Sequence, residues 1–153
     1  GTEALSTLRI EMGHVAGSEL DGRTIPYDNS LEGMISKKKD FIGKRSLNRK
    51  AFVAKDRQKV VGVVPIDKKT IIPEGSHLVK DANAKLPNPK LGHISASCWS
   101  VEYNNPFSLA ILHDGKNMTG KKLFALSPLK NKSIPVEIVS SHYVDPKGER
   151  VRS

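Results

Sequence analysis

Cysteine is almost absent from this chain: Cys98 stands alone among 153 residues. An internal disulfide is thereby excluded, and so is a thiolate cage for a metal. A lone thiol suits a reducing compartment, and we expect a cytoplasmic one. Aromatic residues make up only 5% of the sequence, few for the stacking platforms with which single-strand nucleic-acid modules hold bases. No apolar run approaches the roughly 20 residues of a membrane-spanning helix, so no membrane partner is expected. The opening residues GTEALSTLRIEMG lack a basic stretch ahead of an apolar block, and no initiator Met stands first. They do not read as a signal peptide. A start of this kind leads us to expect a piece of a longer polypeptide.

Several motifs of site chemistry are missing as well. There is no phosphate-binding loop, no G-x-G-x-x-G and no G-x-S-x-G. The five histidines (His14, His77, His93, His113 and His142) sit singly, none paired at the i, i+4 spacing of a helical zinc site. No metal site is expected. Cys98 beside Trp99 could be a thiol nucleophile. Its alternation with Ile94 and Ala96 reads instead as a small core residue, so no catalytic residue is assigned. The NMT sequon at 117 to 119 is taken as chance.

What the chain has in excess is positive charge. Twenty-five Lys and Arg stand against sixteen acids, a net charge of +9, which favours anionic partners by long-range attraction. The densest run is KKKDFIGKRSLNRK, residues 37 to 50, with seven basic residues and one acid, Asp40. Phe41 is its only aromatic, and lysine is as dense in DKKT, GKKLF and KNK. The run therefore reads mainly as a solvated surface, and nucleic acid is not expected as a partner.

Two textures follow one another along the chain. Residues 3 to 12 predict a helix, with Ala4, Leu5, Leu8 and Met12 at helical spacing, Thr2 as N-cap and Gly13 as its end. Shorter helices are predicted over 28–35 and 44–51, the latter with Leu47 and Ala51 on one face. This front third has too few apolar residues to form a core alone. From Gln58 onward the pattern becomes six short strands: 58–66, 76–80, 92–99, 107–113, 122–127 and 134–139. The turns between them carry IIPEG, LPNPKLG, NNP and HDGKNMTGK. VVGVV is apolar on both faces and predicts a doubly covered strand. In the third strand, Ile94, Ala96 and Cys98 are predicted to share one face. Pro135 is expected near a strand start or on an edge. The fold class is α+β: a short helical N-terminal segment, then a small antiparallel six-stranded β-barrel, closed or nearly so.

Arg9 is the one residue whose position suggests a site. It lies on the first helix between Leu5 and Met12, at the border of the apolar stripe, so its stem should be covered and its guanidinium should emerge at the edge. A forked donor there suits a carboxylate or a planar heterocycle. The alternative is an ion pair with Glu11 or another acid that only holds the helix in place.

The stretch ALSTLRIEMGHVAGSELDGRTIPYDNSLEGMISKKKDFIGKRSL resembles the folate-binding aminomethyltransferase family, the family of the glycine-cleavage T-protein. That family's pattern runs L-R-I/L-E-x-G, then E-L/I-D, T-x-P, G-L and D-F-I-G-R. GHISASCWSVEYNNPFSLAIL is similar to its strand-turn-strand in the terminal barrel. Within the family, RIE-GHVAG-EL-GRT and the terminal VEIVSSHYVDPKGERVR look most like the C-terminal end of the alpha subunits of heterotetrameric sarcosine oxidases.

The resemblance implies an oxidoreductase that demethylates sarcosine to glycine, with flavins passing electrons to oxygen and tetrahydrofolate capturing the released carbon. Residues 1–54 would be the last part of the folate-binding domain, a remnant of a ferredoxin-like unit, and 55–153 the terminal barrel. The tetrahydrofolate site would lie only partly in this chain, with flavins and NAD elsewhere in the enzyme. The rest of the alpha subunit and the other subunits would be partners. The family's folate-contacting arginine matches Arg9, and Tyr143 could help close the pocket. Where relatives often have Tyr shortly after this motif, Ala16 stands here, so that aromatic wall does not transfer. The family's acidic catalytic residue lies upstream of this motif, so the fragment alone should not turn over. Dimethylglycine oxidase or dehydrogenase, the glycine-cleavage aminomethyltransferase, and a basic β-barrel binding nucleic acid or protein without catalysis are the alternatives.

Overall fold

The computed structural model describes residues 1–83, 90–150 and 152–153; most of the LPNPKLG turn lies outside the described residues. Helix α1 (Thr2–Glu11) precedes six strands: β1 (Lys59–Pro65), β2 (His77–Val79), β3 (Gly92–Ser100), β4 (Asn105–Leu112), β5 (Lys122–Ser127) and β6 (Lys132–Val139). The strands close into a barrel in the order β1-β4-β3-β2-β5-β6, with every pair antiparallel. The seam between β6 and β1 sets Gly62 opposite Val139. Closure gives each of the six strands a hydrogen-bonded neighbour on both sides.

Alternating side chains explain the packing. Val61, Val63, Ala110, Leu112, Val136 and Ile138 belong to the barrel interior. Their neighbours Val60, Phe107, Leu109 and Ile111 turn outward into a second cluster with Ile10 of α1. This is why VVGVV reads apolar on both faces and why every residue of β4 is buried. Ile10 is 1% exposed, a burial that contributes on the order of 1.5–3 kcal/mol.

Four expectations need correction. A register shift between Ile94 and Ala96 interrupts the period of β3. Ile94 therefore faces the interior, while Ala96 and Cys98 face the α1 side. The shared face read from strict alternation is broken because a bulge adds a residue on one strand. In α1, the buried residues are Ile10 and Glu11, whereas Leu5 and Leu8 are 67% and 58% exposed. The barrel meets the end of the helix and leaves its Leu stripe uncovered. Thr2 is the first helical residue and makes no cap; Gly1 precedes it. Finally, the helices predicted over 28–35 and 44–51 reduce to single 3-10 turns, Glu32–Met34 and Ser46–Asn48. Neither buries a residue, so nothing offsets the backbone entropy of a longer helix.

Candidate functional site

The end of α1 is built by a glycine. Gly13 has φ +69, a conformation that a side chain disfavours, and it closes the helix: Gly13 N–H donates to Ile10 O and His14 N–H to Arg9 O, at 3.0 and 2.8 Å. The chain then doubles back beneath Arg9. A Cβ on Gly13 would meet Ser141 O at 2.5 Å, so the reversal also needs room against the C-terminal segment.

That reversal brings a buried acid to Arg9. Glu19 is fully buried, and its Oε2 accepts Ala16 N–H at 2.8 Å and Arg9 Nη1 at 3.4 Å. Ser18 Oγ donates to Oε1 at 3.1 Å. Arg9 Nη1 also donates to His14 O at 3.3 Å. Both bonds of the guanidinium use the same nitrogen. Among the described residues, Nε and Nη2 have no partner, and the side chain remains 24% exposed. Arg9 is thus anchored by one edge, with donors to spare on the other. Of the acids the sequence left open, its partner is Glu19, ten positions on, and not Glu11, two positions on.

Glu11 does different work. It is buried, its Oε1 accepts Val101 N–H at 3.0 Å, and its carbonyl accepts Tyr143 N–H and Val144 N–H at 3.2 and 3.0 Å. One residue therefore ties α1 to both the β3–β4 turn and the C-terminal segment. Tyr143 lies on this bridge. Its ring stacks on Phe107 with centroids 4.2 Å apart and packs obliquely on Tyr103 at 4.6 Å, while Asn105 Nδ2 donates to its hydroxyl at 3.1 Å. Sequence spacing raised Glu11 only as a partner for Arg9 and gave no sign of Glu19; the nearest clue to Glu19 was the family-like E-L-D that follows the helix.

A second region lies apart from Arg9. A cavity of about 460 Å³ is lined by Tyr27, Phe52, Lys55, Lys116 and two ion pairs. In one pair, Arg57 Nε donates to Asp28 Oδ1 at 2.7 Å and Nη2 to Oδ2, with Asp28 2% exposed. The hydrogen bond from Arg57 to Asp28 holds the guanidinium pKa above its ordinary value. In the other pair, Lys59 Nζ meets Glu32 at 2.8 Å. All the acids here are already matched by cations, and the cavity adds no reactive group.

Chemistry is sparse elsewhere. Cys98 is buried, and burial, with Glu11 nearby, pushes its thiol up to about 11, so it stays protonated at neutral pH. Among the described residues, no three His, Cys, Asp or Glu side chains could hold a metal together, and no helix is long and apolar enough to cross a membrane. In the 37–50 run, Lys44 lies 3.9 Å from Asp40; Lys37, Lys38, Lys39, Arg45, Arg49 and Lys50 have no acidic partner among the described residues. All six are exposed, in keeping with a solvated surface.

Against this geometry the likenesses to known proteins can be set. No protein-family model matches the chain. The crystal structure of glycine cleavage system aminomethyltransferase T from Bartonella henselae superposes with a TM-score of 0.74 at 19% identity, over 94% of this chain and 38% of that one. The fold is therefore that of an aminomethyltransferase segment, a helix and loops laid against a barrel. In sequence, the chain is 38% identical over 153 residues to sarcosine oxidase subunit alpha of Rhizobium meliloti (strain 1021), which covers 99% of this chain. It is 35% identical to the subunit of the same name from Corynebacterium sp. (strain U-96), over 98% of this chain. The chain is thus similar over its whole length to a part of sarcosine oxidase alpha subunits. It spans 15% and 16% of the length of these two relatives.

Proposed function

We propose that this chain is the C-terminal, folate-binding segment of a sarcosine oxidase alpha subunit, an oxidoreductase of the cytoplasm that demethylates sarcosine to glycine. In this reading the rest of the alpha subunit and the other subunits are its partners, and flavins and NAD are held outside this chain. Residues 1–54 are proposed as the end of the folate-binding domain and 55–153 as the barrel domain. The exposed Leu5 and Leu8 support a further packing partner for α1, since an apolar helix stripe left in water gains by being covered.

The single observation that carries the folate reading is the half-used guanidinium of Arg9. The Nε and Nη2 edge offers parallel N–H donors of the kind that pair with a carboxylate or with the acceptor edge of a planar heterocycle. A tetrahydrofolate presents both chemistries, so the residue fits the group. When bound, tetrahydrofolate supplies the amines that take up the one-carbon unit released from the substrate. What this chain contributes is binding and orientation: Arg9 would hold the ligand, and α1 would keep Arg9 in place through Ile10 and Glu11. Tyr143 enters the proposal as a flank of the same site. Its backbone is bonded to Glu11, while its ring faces are engaged by Phe107 and Tyr103. The net charge of +9 would draw the anionic glutamyl tail of a folate toward this surface.

Calorimetric titration of the full-length enzyme with 5-formyltetrahydrofolate, an air-stable tetrahydrofolate, tests the assignment. Arg9→Ala should weaken binding by about 10-fold or more, the loss expected for a charge-assisted hydrogen-bonded pair. An unchanged affinity would return Arg9 to a purely structural role.

A further inference from the structure

We propose that Glu19 is a positioning residue for ligand binding, the group that sets which edge of Arg9 remains free. The inference rests on the folate reading of Arg9 and goes one step behind it, to the residue that aims the guanidinium.

The geometry separates two duties of Glu19. As a loop residue it accepts Ala16 N–H at 2.8 Å and Ser18 Oγ at 3.1 Å, while its carbonyl accepts Thr24 Oγ1 at 3.0 Å. These contacts already satisfy the side chain without any cation. Yet the carboxylate is fully buried, and a charge so placed is costly unless a countercharge lies beside it. Arg9 is that countercharge. The contact is single and long, 3.4 Å from Nη1 to Oε2, with none of the two-bonded fork seen between Arg57 and Asp28. A fork would have consumed the Nε and Nη2 edge. The offset pairing engages Nη1 only, and His14 O, at 3.3 Å from the same nitrogen, fixes it from a second direction. An arginine free to rotate would lose that orientation and with it part of the ligand's binding energy, because the ligand would have to order the side chain itself.

The signal that a purely structural acid would not give is coupling. In the full-length enzyme, Glu19→Gln retains an oxygen for Ala16 N–H and removes the charge that holds the guanidinium. It should raise the dissociation constant for 5-formyltetrahydrofolate about 10-fold, in line with losses seen when outer supports of a binding group are removed. Glu19→Asp, which keeps the charge, should recover most of that loss. In an Arg9→Ala background, Glu19→Gln should cost no more than about a further 2-fold, since the residue it aims is gone. Circular dichroism of each variant shows that it has folded, and Glu19→Asp gives a reading if Glu19→Gln does not. If Glu19→Gln leaves affinity unchanged while Arg9→Ala weakens it, the positioning role is overturned and the folate reading stands. Equal losses in the two backgrounds overturn it too. If Arg9→Ala itself has no effect, the folate reading falls and takes this inference with it.

Discussion

Asp28 offers the most quantitative test of how the front third is held to the barrel. Its carboxylate is buried and accepts Arg57 Nε, Arg57 Nη2 and Ile25 N–H, while its carbonyl accepts Val60 N–H at the start of β1. Arg57 also donates to Ala51 O at 3.1 Å and lies 5.3 Å from the centre of the Phe52 ring. Asp28→Ala leaves Arg57 without its acid. Removing one partner of a buried pair costs about 3–5 kcal/mol. Arg57 is 20% exposed and keeps Ala51 O, so water recovers part of this, and about 2–4 kcal/mol should be lost. For a chain of this size each kcal/mol lowers the melting temperature by roughly 2–4 °C. A drop of about 5–15 °C is therefore expected in thermal unfolding followed by circular dichroism at pH 7. The Asp28→Ala/Arg57→Ala double variant should lose at least about 1 kcal/mol less than the sum of the single losses, because the two residues share one interaction. A shift below about 1 °C for Asp28→Ala, or strict additivity, would refute this account of the loop's attachment.

Two further outcomes follow from packing and burial. Gly62→Ala should destabilise the barrel by about 2 kcal/mol or more, because the added Cβ would overlap Ser140 O and come within 2.8 Å of the ring of Phe107, which is fully buried; a melting temperature equal to that of the parent would contradict the tight seam. Cys98, with its thiol raised to about 11 by burial, should hold on the order of 0.1% thiolate at pH 8 and alkylate far more slowly than a free cysteine. Its rate with iodoacetamide should rise about 10-fold per pH unit up to about pH 11. A plateau near pH 9 would mean the thiol is not shielded.

The barrel was legible because a half-buried strand announces itself every second residue, and VVGVV also showed that two faces were covered. The bulge in β3 was not legible, since a single inserted residue leaves the local composition of HISASC unchanged while reversing its faces. The front third was read less well for a physical reason. Its segments from 28 to 51 take their shape from contacts such as Asp28 with Arg57, twenty-nine residues apart, and not from a helical repeat. Arg9 could be singled out from its place on α1. Its partner could not, because Glu19 reaches it only after Gly13 turns the chain around.

The seam between β1 and β6 makes the barrel an all-or-nothing object. Gly62 cannot meet Val139 until β6 has emerged from the ribosome, so the earlier strands must wait as an open sheet with two raw borders. Sticking to a neighbour during that wait is the hazard the final strand removes, and a chain cut short ahead of β6 should be lost to aggregation before it is lost to instability.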